Sequence, residues 1–279
     1  MICTDLDRTL IPNGVQPESH DARRCFSALV SQPEIKLAYV SGRHRDLVYQ
    51  AIAIYNLPLP DYIIGDVGTT LYHVVSAAQW DLCKGWKDEI GQDWHGKSHE
   101  MLRSLFVDLR DLRLQEPSKQ NDYKLSYYVP LHADHGKLMG QMQERLDQNG
   151  VQANMILSVD EPAGVGLLDL LPVRASKLHA VEFLLNMIGM YHQKAVFCGD
   201  SGNDLEVLIS RVPAVLVANG SQEVKAQASR LANESGNSDL LYQAEGGTFG
   251  MNGNYAAGIL EGVAHYHPEL RQLIEETAL

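Results

Sequence analysis

The stretch Met1-Ile2-Cys3-Thr4-Asp5-Leu6-Asp7-Arg8-Thr9-Leu10-Ile11-Pro12-Asn13-Gly14 decides the fold. A short apolar lead-in meets two carboxylates two residues apart, and a hydroxyl follows two residues later. An apolar run that gives way to Pro and Asn-Gly reads as a buried strand ending in a loop. Asp5 then falls at the strand's end, where an open parallel sheet keeps its chemistry. Only four residues precede Asp5, so the first strand is short and a start inside a longer product is expected.

Outward from that strand, Pro17-Glu18-Ser19 opens a helix carrying Ala22, Cys25, Phe26, Leu29 and Val30 at helical spacing. Residues 35–40 read as a second buried strand ending in Ser41-Gly42-Arg43. A helix with Leu47, Val48, Ala51, Ile52 and Tyr55 on one face follows, then a third strand at 62–64. The same style returns late in the chain. Strands are expected at 166–171, 195–198 and 214–217, a helix at 176–190, and two closing helices at about 256–266 and 269–278. Strands alternating with helices predict an α/β chain built on a doubly wound, Rossmann-like parallel sheet.

The middle is richer in Trp, His and charge. It reads as a helix through Met101, Leu102, Leu105, Phe106 and Leu109, a strand at 124–129, a helix through Leu138, Met142 and Leu146, and a strand at 154–159. The expected organisation is a main domain of residues 1–76 and 169–279 with a small α/β unit, 77–168, inserted into it. Trp80, Trp86 and Trp94 read as core of that inserted unit.

Among 279 residues, 45% are hydrophobic and 21% charged, an ordinary globular balance. The formal net charge of −12 argues against a general nucleic-acid or anionic-membrane surface, though a bound cation can reverse the local sign. The four cysteines have no paired spacing, which fits a reducing cytoplasm. The sequence has no apolar run long enough to span a membrane.

Four polar clusters fall at strand ends or on turns into helices: Asp5/Asp7/Thr9, Ser41-Gly42-Arg43, Lys177, and Asp200-Ser201-Gly202-Asn203-Asp204. In a parallel sheet such ends converge on one crevice. Clustered carboxylates without a set of Cys or His suggest a hard cation held by oxygen, Mg²⁺ above all. Such an ion and a lysine can neutralise a phosphoryl group. An ionised Asp can attack phosphorus, and a second carboxylate can serve the leaving group and then water.

These motifs, in this order, resemble those of the haloacid-dehalogenase-type phosphatases. The resemblance implies Asp5 as nucleophile and metal ligand, and Asp7 as acid/base with its backbone carbonyl on the metal. It implies Ser41 and Lys177 on phosphate, Asp200 on Mg²⁺, and Asp204 and Asn203 orienting the site, with Thr9 in support. Gly42 and Arg43 join the phosphate- or substrate-binding set. Within that superfamily the chain is similar to the sucrose-phosphate phosphatases. The carrying stretches include 37–43, Val67-Gly68-Thr69-Thr70-Leu71-Tyr72-His73, Lys124-Leu125-Ser126-Tyr127-Tyr128, 218–223 and 256–266. Thr70 and Lys124 enter as substrate-side residues through this resemblance alone, and Thr70 stands where the family tends to carry an acidic residue. The resemblance implies a cap in the inserted unit that contacts the sugar, sucrose 6-phosphate as substrate, and a sucrose-phosphate synthase-type enzyme as partner.

Other readings compete. Another osmolyte precursor, a mannosyl- or glucosyl-phosphoglycerate, is the nearest rival substrate. A non-catalytic sugar-phosphate-binding module fused to or partnering a glycosyltransferase would need no Asp5/Asp7 pair. A receiver domain places its acidic pair and its phospho-acceptor on different strands. His95 and His99 are four apart, as in zinc-binding helices, but no Glu holds the metalloprotease position and Gly96 weakens a helix. The glycines from 246 to 253 lack the Gly-Lys-Ser/Thr of a phosphate loop.

Overall fold

The computed structural model describes residues 1–161 and 163–278. It comprises two compact units, Met1–Leu82 with Lys177–Leu279, and Cys83–Ser176.

The larger unit begins with β1 (Ile2–Thr4), α1 (Ala22–Val30), β2 (Leu37–Val40), α2 (Arg45–Tyr55) and β3 (Tyr62–Gly65). A hairpin that the sequence did not announce follows, β4 (Thr70–Ser76) and β5 (Gln79–Leu82). The smaller unit holds α3 (Lys84–Gly91), α4 (His99–Ser104), β6 (Arg113–Leu114), β7 (Leu125–Val129), α5 (His135–Gln148), β8 (Ala153–Asp160) and β9 (Val165–Pro172). The chain then returns to the larger unit with α6 (Lys177–Met187), β10 (Val196–Gly199), α7 (Leu205–Leu208), β11 (Ala214–Leu216), α8 (Gln222–Glu234), β12 (Leu241–Gln243), α9 (Ala256–Tyr266) and α10 (Arg271–Ala278).

The main sheet runs β12-β11-β10-β1-β2-β3-β4-β5. Pairing is parallel from β12 through β3, and β4 and β5 add antiparallel strands at one edge. From β1 the chain builds to one side through β2 and β3, then returns on the other side with β10. The switch point therefore lies between β1 and β10, where an open sheet leaves a crevice at its C-terminal edge. On one sheet face Ile2, Leu37, Tyr39, Ile63 and Val196 pack with Phe26 and Leu29 of α1 and Ile259 and Val263 of α9. The alternate residues Cys3, Ala38, Val40, Ile64 and Phe197 are buried as well. Burial on both faces explains the near-continuous apolar runs of these strands.

In the smaller unit the sheet order is β6-β7-β9-β8, antiparallel throughout. Leu125, Tyr127 and Val129 alternate toward a core completed by Leu168, Leu170, Trp94 and the apolar stripe Leu138, Met142 and Leu146 of α5. The helix read through Leu109 stops at Ser104, although Phe106 and Leu109 stay buried in the turns beyond it.

Two placements differ from the sequence reading. The sequence pattern puts β9 in the main sheet, but the strand is central in the small one, between β7 and β8. The sequence places Trp80 in the inserted-unit core, but it lies on β5 in the larger core, with Tyr49 and Tyr72 against its ring at 6.1 and 6.2 Å. Among the described residues no helix is long and apolar enough to cross a membrane.

Candidate active site

Asp5 is the first residue beyond β1, and its N–H donates to the Cys198 carbonyl on β10 at 2.9 Å. This last rung fixes where the chain leaves the sheet. The Leu6 carbonyl then accepts from the N–H groups of Thr9, Leu10 and Ile11, coiling the loop tightly. Leu6, Leu10 and Ile11 are wholly buried and anchor that loop in the core. On the neighbouring strand, β10 runs into Asp200, and a single turn over Gly202–Asp204 brings Asp204 back beneath it. Gly199 is required here, because a Cβ would stand 2.6 Å from Asp204 Cγ.

The two strand ends bring Asp5, Asp200 and Asp204 together, with one carboxylate oxygen of each within 4.8 Å of the others. All three are buried. Lys177, the first residue of α6, reaches into the group and is itself buried. Its Nζ lies 2.7 Å from Asp204 Oδ1, 3.3 Å from Asp5 Oδ1 and 3.3 Å from Asn203 Oδ1. Asp204 spends its other oxygen on the Asp200 and Ser201 N–H groups, at 3.1 and 3.2 Å. It braces the turn and seats the lysine. Thr9 Oγ1 donates to Asp200 Oδ1 at 3.3 Å.

The electrostatics follow from this crowding. Burial pushes the Asp5 carboxyl up to about 7; Lys177 pulls it down, and Asp204 and Asp200 push it up again. Burial and then the Asp204 charge raise Asp200 to about 6, against the pull of Arg8. Burial disfavours the Lys177 ammonium, but Asp204 and Asp5 outweigh it and raise its pKa, so the cation is locked in.

Asp7 stands outside this trio. Burial would raise its pKa, but Arg43 and the Asn13 amide hold it below the usual carboxylate range. Arg43 grips it bidentately, Nε to Oδ2 at 2.7 Å and a terminal nitrogen to Oδ1 at 2.6 Å, and Asn13 Nδ2 donates to it at 2.7 Å. Ser41 follows β2 directly, buried, with its N–H on the Ile64 carbonyl and its Oγ accepting from the Arg43 N–H at 3.2 Å. Gly42 has room to spare, since a Cβ there would meet only Val67, at 3.9 Å.

A cavity of about 320 Å³ opens onto these groups, lined by Asp5, Asp7, Ser41, Gly42, Arg43 and Asp200 among others. Leu47, read as a core-facing helix residue, is 37% exposed and lines its wall. Volume does not locate the site. Cavities of about 560 and 580 Å³ are larger, but one is lined wholly by the smaller unit and the other surrounds Met1, Tyr191 and Leu270, and neither gathers a comparable set of carboxylates.

The remaining candidates lie elsewhere. Thr70 starts β4, buried, with its hydroxyl 3.4 Å from Asp66 Oδ2. Lys124 belongs to the smaller unit, where its Nζ is 3.9 Å from Asp169 Oδ2 and Ser126 Oγ donates to the same carboxylate. His99 has its Nε2 against Gln120 Oε1 at 3.2 Å, and His95 adopts a left-handed turn conformation. The sequence reading missed Arg8, which lines the cavity with Nε 3.4 Å from Asp200 Oδ2, and Asn219, whose Nδ2 donates to the Arg8 carbonyl at 2.6 Å. The signal for Arg8 is its position inside the Asp-rich motif; Asn219 lies in the 218–223 stretch that carries the family resemblance, but nothing there points to a role at the site.

Oxygen donors alone, at this spacing, suit a hard cation. Against three buried carboxylates the interior supplies a single ammonium, and a half-exposed guanidinium stands at the rim. The group therefore fits a divalent ion in both donor chemistry and charge.

A family model described as sucrose-6F-phosphate phosphohydrolase matches residues 1–267. A protein of Nitrosococcus oceani described as a HAD-like hydrolase is 52% identical over 275 residues, which are 99% of this chain and 74% of that protein. Sucrose-phosphatase 1 of Nicotiana tabacum is 29% identical over 96% of this chain, and the chain spans 59% of its length. Among solved structures, the sucrose-phosphatase of Synechocystis sp. PCC6803, in complex with sucrose and phosphate, superposes with a TM-score of 0.69 at 24% identity, covering 95% of this chain and 96% of that one. The last similarity shows the shared fold.

Proposed function

The chain belongs to the sucrose-6F-phosphate phosphohydrolase family, sugar phosphatases of the haloacid-dehalogenase type, and on that premise we propose that it hydrolyses sucrose 6-phosphate to sucrose and phosphate. The observation that carries the reading is the convergence of Asp5, Lys177 and Asp200 at the ends of β1 and β10.

Asp5 is the nucleophile. One of its oxygens attacks phosphorus, the ester P–O bond breaks, and an aspartyl-phosphate forms. Lys177 holds Asp5 in place and sits where it can neutralise phosphoryl oxygens, and Ser41 and Asn203 supply hydrogen bonds to them. Asp7 gives the leaving alkoxide its proton. It then takes one from the water that attacks the aspartyl-phosphate, releasing phosphate and restoring Asp5. The carboxylate form that Arg43 maintains suits the second half; the first half requires a proton on Asp7 and a looser Arg43 contact. Asp5 and Asp200, with Asp204 behind them, would hold Mg²⁺, which when bound supplies further positive charge to the phosphoryl group.

We assign recognition of the sugar to the smaller unit, where Ser126, Asp169 and Lys124 form a polar group on its sheet. The substrate comes from a synthase that joins the sugars as a phosphate ester, and four cysteines without disulfides fit a cytoplasmic setting.

The test is a comparison of kcat/KM with Mg²⁺ over sucrose 6-phosphate, other disaccharide phosphates and the glycosyl-phosphoglycerates. A preference for sucrose 6-phosphate of at least about tenfold, or ~1.4 kcal/mol in transition-state binding, is expected. A different preferred ester removes the sucrose assignment. No phosphate release from any ester, with binding retained, favours the non-catalytic module.

A further inference from the structure

Arg8 is held in an unfavourable conformation, and the side chain that results points at a functional carboxylate. Its φ is 58°, in the left-handed region that disfavours residues with a Cβ. Its N–H donates to Asn13 Oδ1 at 2.8 Å, and its carbonyl accepts from Asn219 Nδ2 at 2.6 Å. Asn219 is buried and is fixed in turn by the Tyr255 N–H on its Oδ1 at 2.8 Å. One partner in its own loop, Asn13, and one far along the chain, Asn219, thus fix both main-chain polar groups of a strained residue, a pattern found where the conformation serves a site. Its guanidinium comes to 3.4 Å from Asp200 Oδ2 on the cavity wall.

The two cations nearest the carboxylate trio differ in kind. Lys177 is 3% exposed and pairs with Asp5 and Asp204. Arg8 pairs with Asp200, its side chain is 47% exposed, and water can take over its hydrogen bonds when it leaves. The other Asp200 oxygen holds the Thr9 hydroxyl. The oxygen free of that hydroxyl, Oδ2, is the one that faces Arg8, so an ion taking it meets the guanidinium there.

We propose that Arg8 is a resident counter-cation of Asp200, a positioning residue that occupies the carboxylate in the metal-free protein and lowers the apparent affinity for Mg²⁺ by competing with it. The inference rests on the reading that the trio binds a divalent ion. A half-exposed ion pair is a weak competitor, so the effect is graded, about three- to tenfold in dissociation constant. Such a device keeps the carboxylate neutralised and oriented before the metal arrives, and it is released at low cost.

Calorimetric titration of Mg²⁺ into metal-stripped protein, without substrate, tests this directly. Arg8→Asn removes the charge and tolerates the left-handed backbone, and Arg8→Lys keeps the charge. We expect Arg8→Asn to bind Mg²⁺ about three- to tenfold more tightly than wild type and Arg8→Lys to stay within about twofold of it. If Arg8→Asn does not fold, Arg8→Gly, which removes both charge and strain, takes its place with the same expectation. A wild type that binds Mg²⁺ with an uncharged variant no tighter overturns the inference alone. A wild type that binds no divalent ion overturns the cation reading and the inference with it.

Discussion

Asp200→Asn should make the metal-free protein more stable at alkaline pH while impairing its catalysis. Asp200 is buried beside Asp204, and its folded pKa of about 6 stands above the ordinary 3.8. A carboxyl raised on folding contributes stability that is fully present below its unfolded pKa and is lost as pH rises through the folded one. Between pH 4 and pH 7 the wild type therefore gives up stability at this position. The distance from 3.8 to about 6 sets a ceiling of about 3 kcal/mol. Solvent reaching the outer oxygen and the lost attraction of Arg8 reduce the gain from neutralising it to about 1–2 kcal/mol. Asparagine keeps an oxygen for the Thr9 hydroxyl and leaves the main-chain bonds from residue 200 to Asp204 in place. In EDTA at pH 8 the variant should melt about 3–6 °C above wild type. At pH 4, where the wild-type carboxyl is protonated, the two should coincide. Thermal and urea denaturation at both pH values check this. A variant that is less stable at pH 8, or a difference that does not change with pH, would show that Asp200 is not held against its preference for water, and the case for a cation-hungry site would lose its electrostatic basis.

Two further outcomes follow from the same cluster. Asp5→Asn should cut phosphate release by at least about 10⁴-fold while the protein keeps its circular dichroism spectrum, and retained turnover would sink the nucleophile assignment. Lys177→Met should lower stability in EDTA by about 3–5 kcal/mol, because the buried carboxylates lose the buried ammonium that pairs with Asp5 and Asp204, with part of the loss recovered in saturating Mg²⁺; urea curves with and without the ion decide it, and a variant as stable as wild type would mean the ammonium does not balance the group.

How much of this could be read from the sequence depended on whether the signal was local. The strands that lead to Asp5, Ser41 and Asp200 are short apolar runs followed by polar turns, and each lies where that pattern puts it. Their order alone places the motif residues at one sheet edge. The β4–β5 hairpin gave no such signal. Its connection is Ala77-Ala78, without the Gly, Asn or Asp that marks a tight turn. β9 failed differently. Val165-Gly166-Leu167-Leu168-Asp169-Leu170-Leu171 has the apolar continuity of a buried parallel strand, yet it is a central antiparallel strand with neighbours on both edges. Continuity reports burial on two sides, not strand direction or which sheet does the burying.

The site shows the same division with greater consequence. Asp5, Lys177 and Asp200 were legible as a constellation because the fold class dictates where strand ends meet. Their charge states were not, since these depend on which cation faces which oxygen. Asp7 and Asp200 look equivalent as motif carboxylates, but one is depressed by a bidentate arginine and the other raised by burial beside a second acid. Arg8 is the extreme case. It occupies a position inside the motif with no expected role, and what holds it beside Asp200 is Asn13 in its own loop together with an asparagine 211 residues later, itself set by the main chain of Tyr255. A backbone angle held in part from that distance has no periodicity or spacing to announce it. Residues of this kind can distinguish two sites built on the same motifs, because they alter the electrostatics of shared carboxylates without changing any of them.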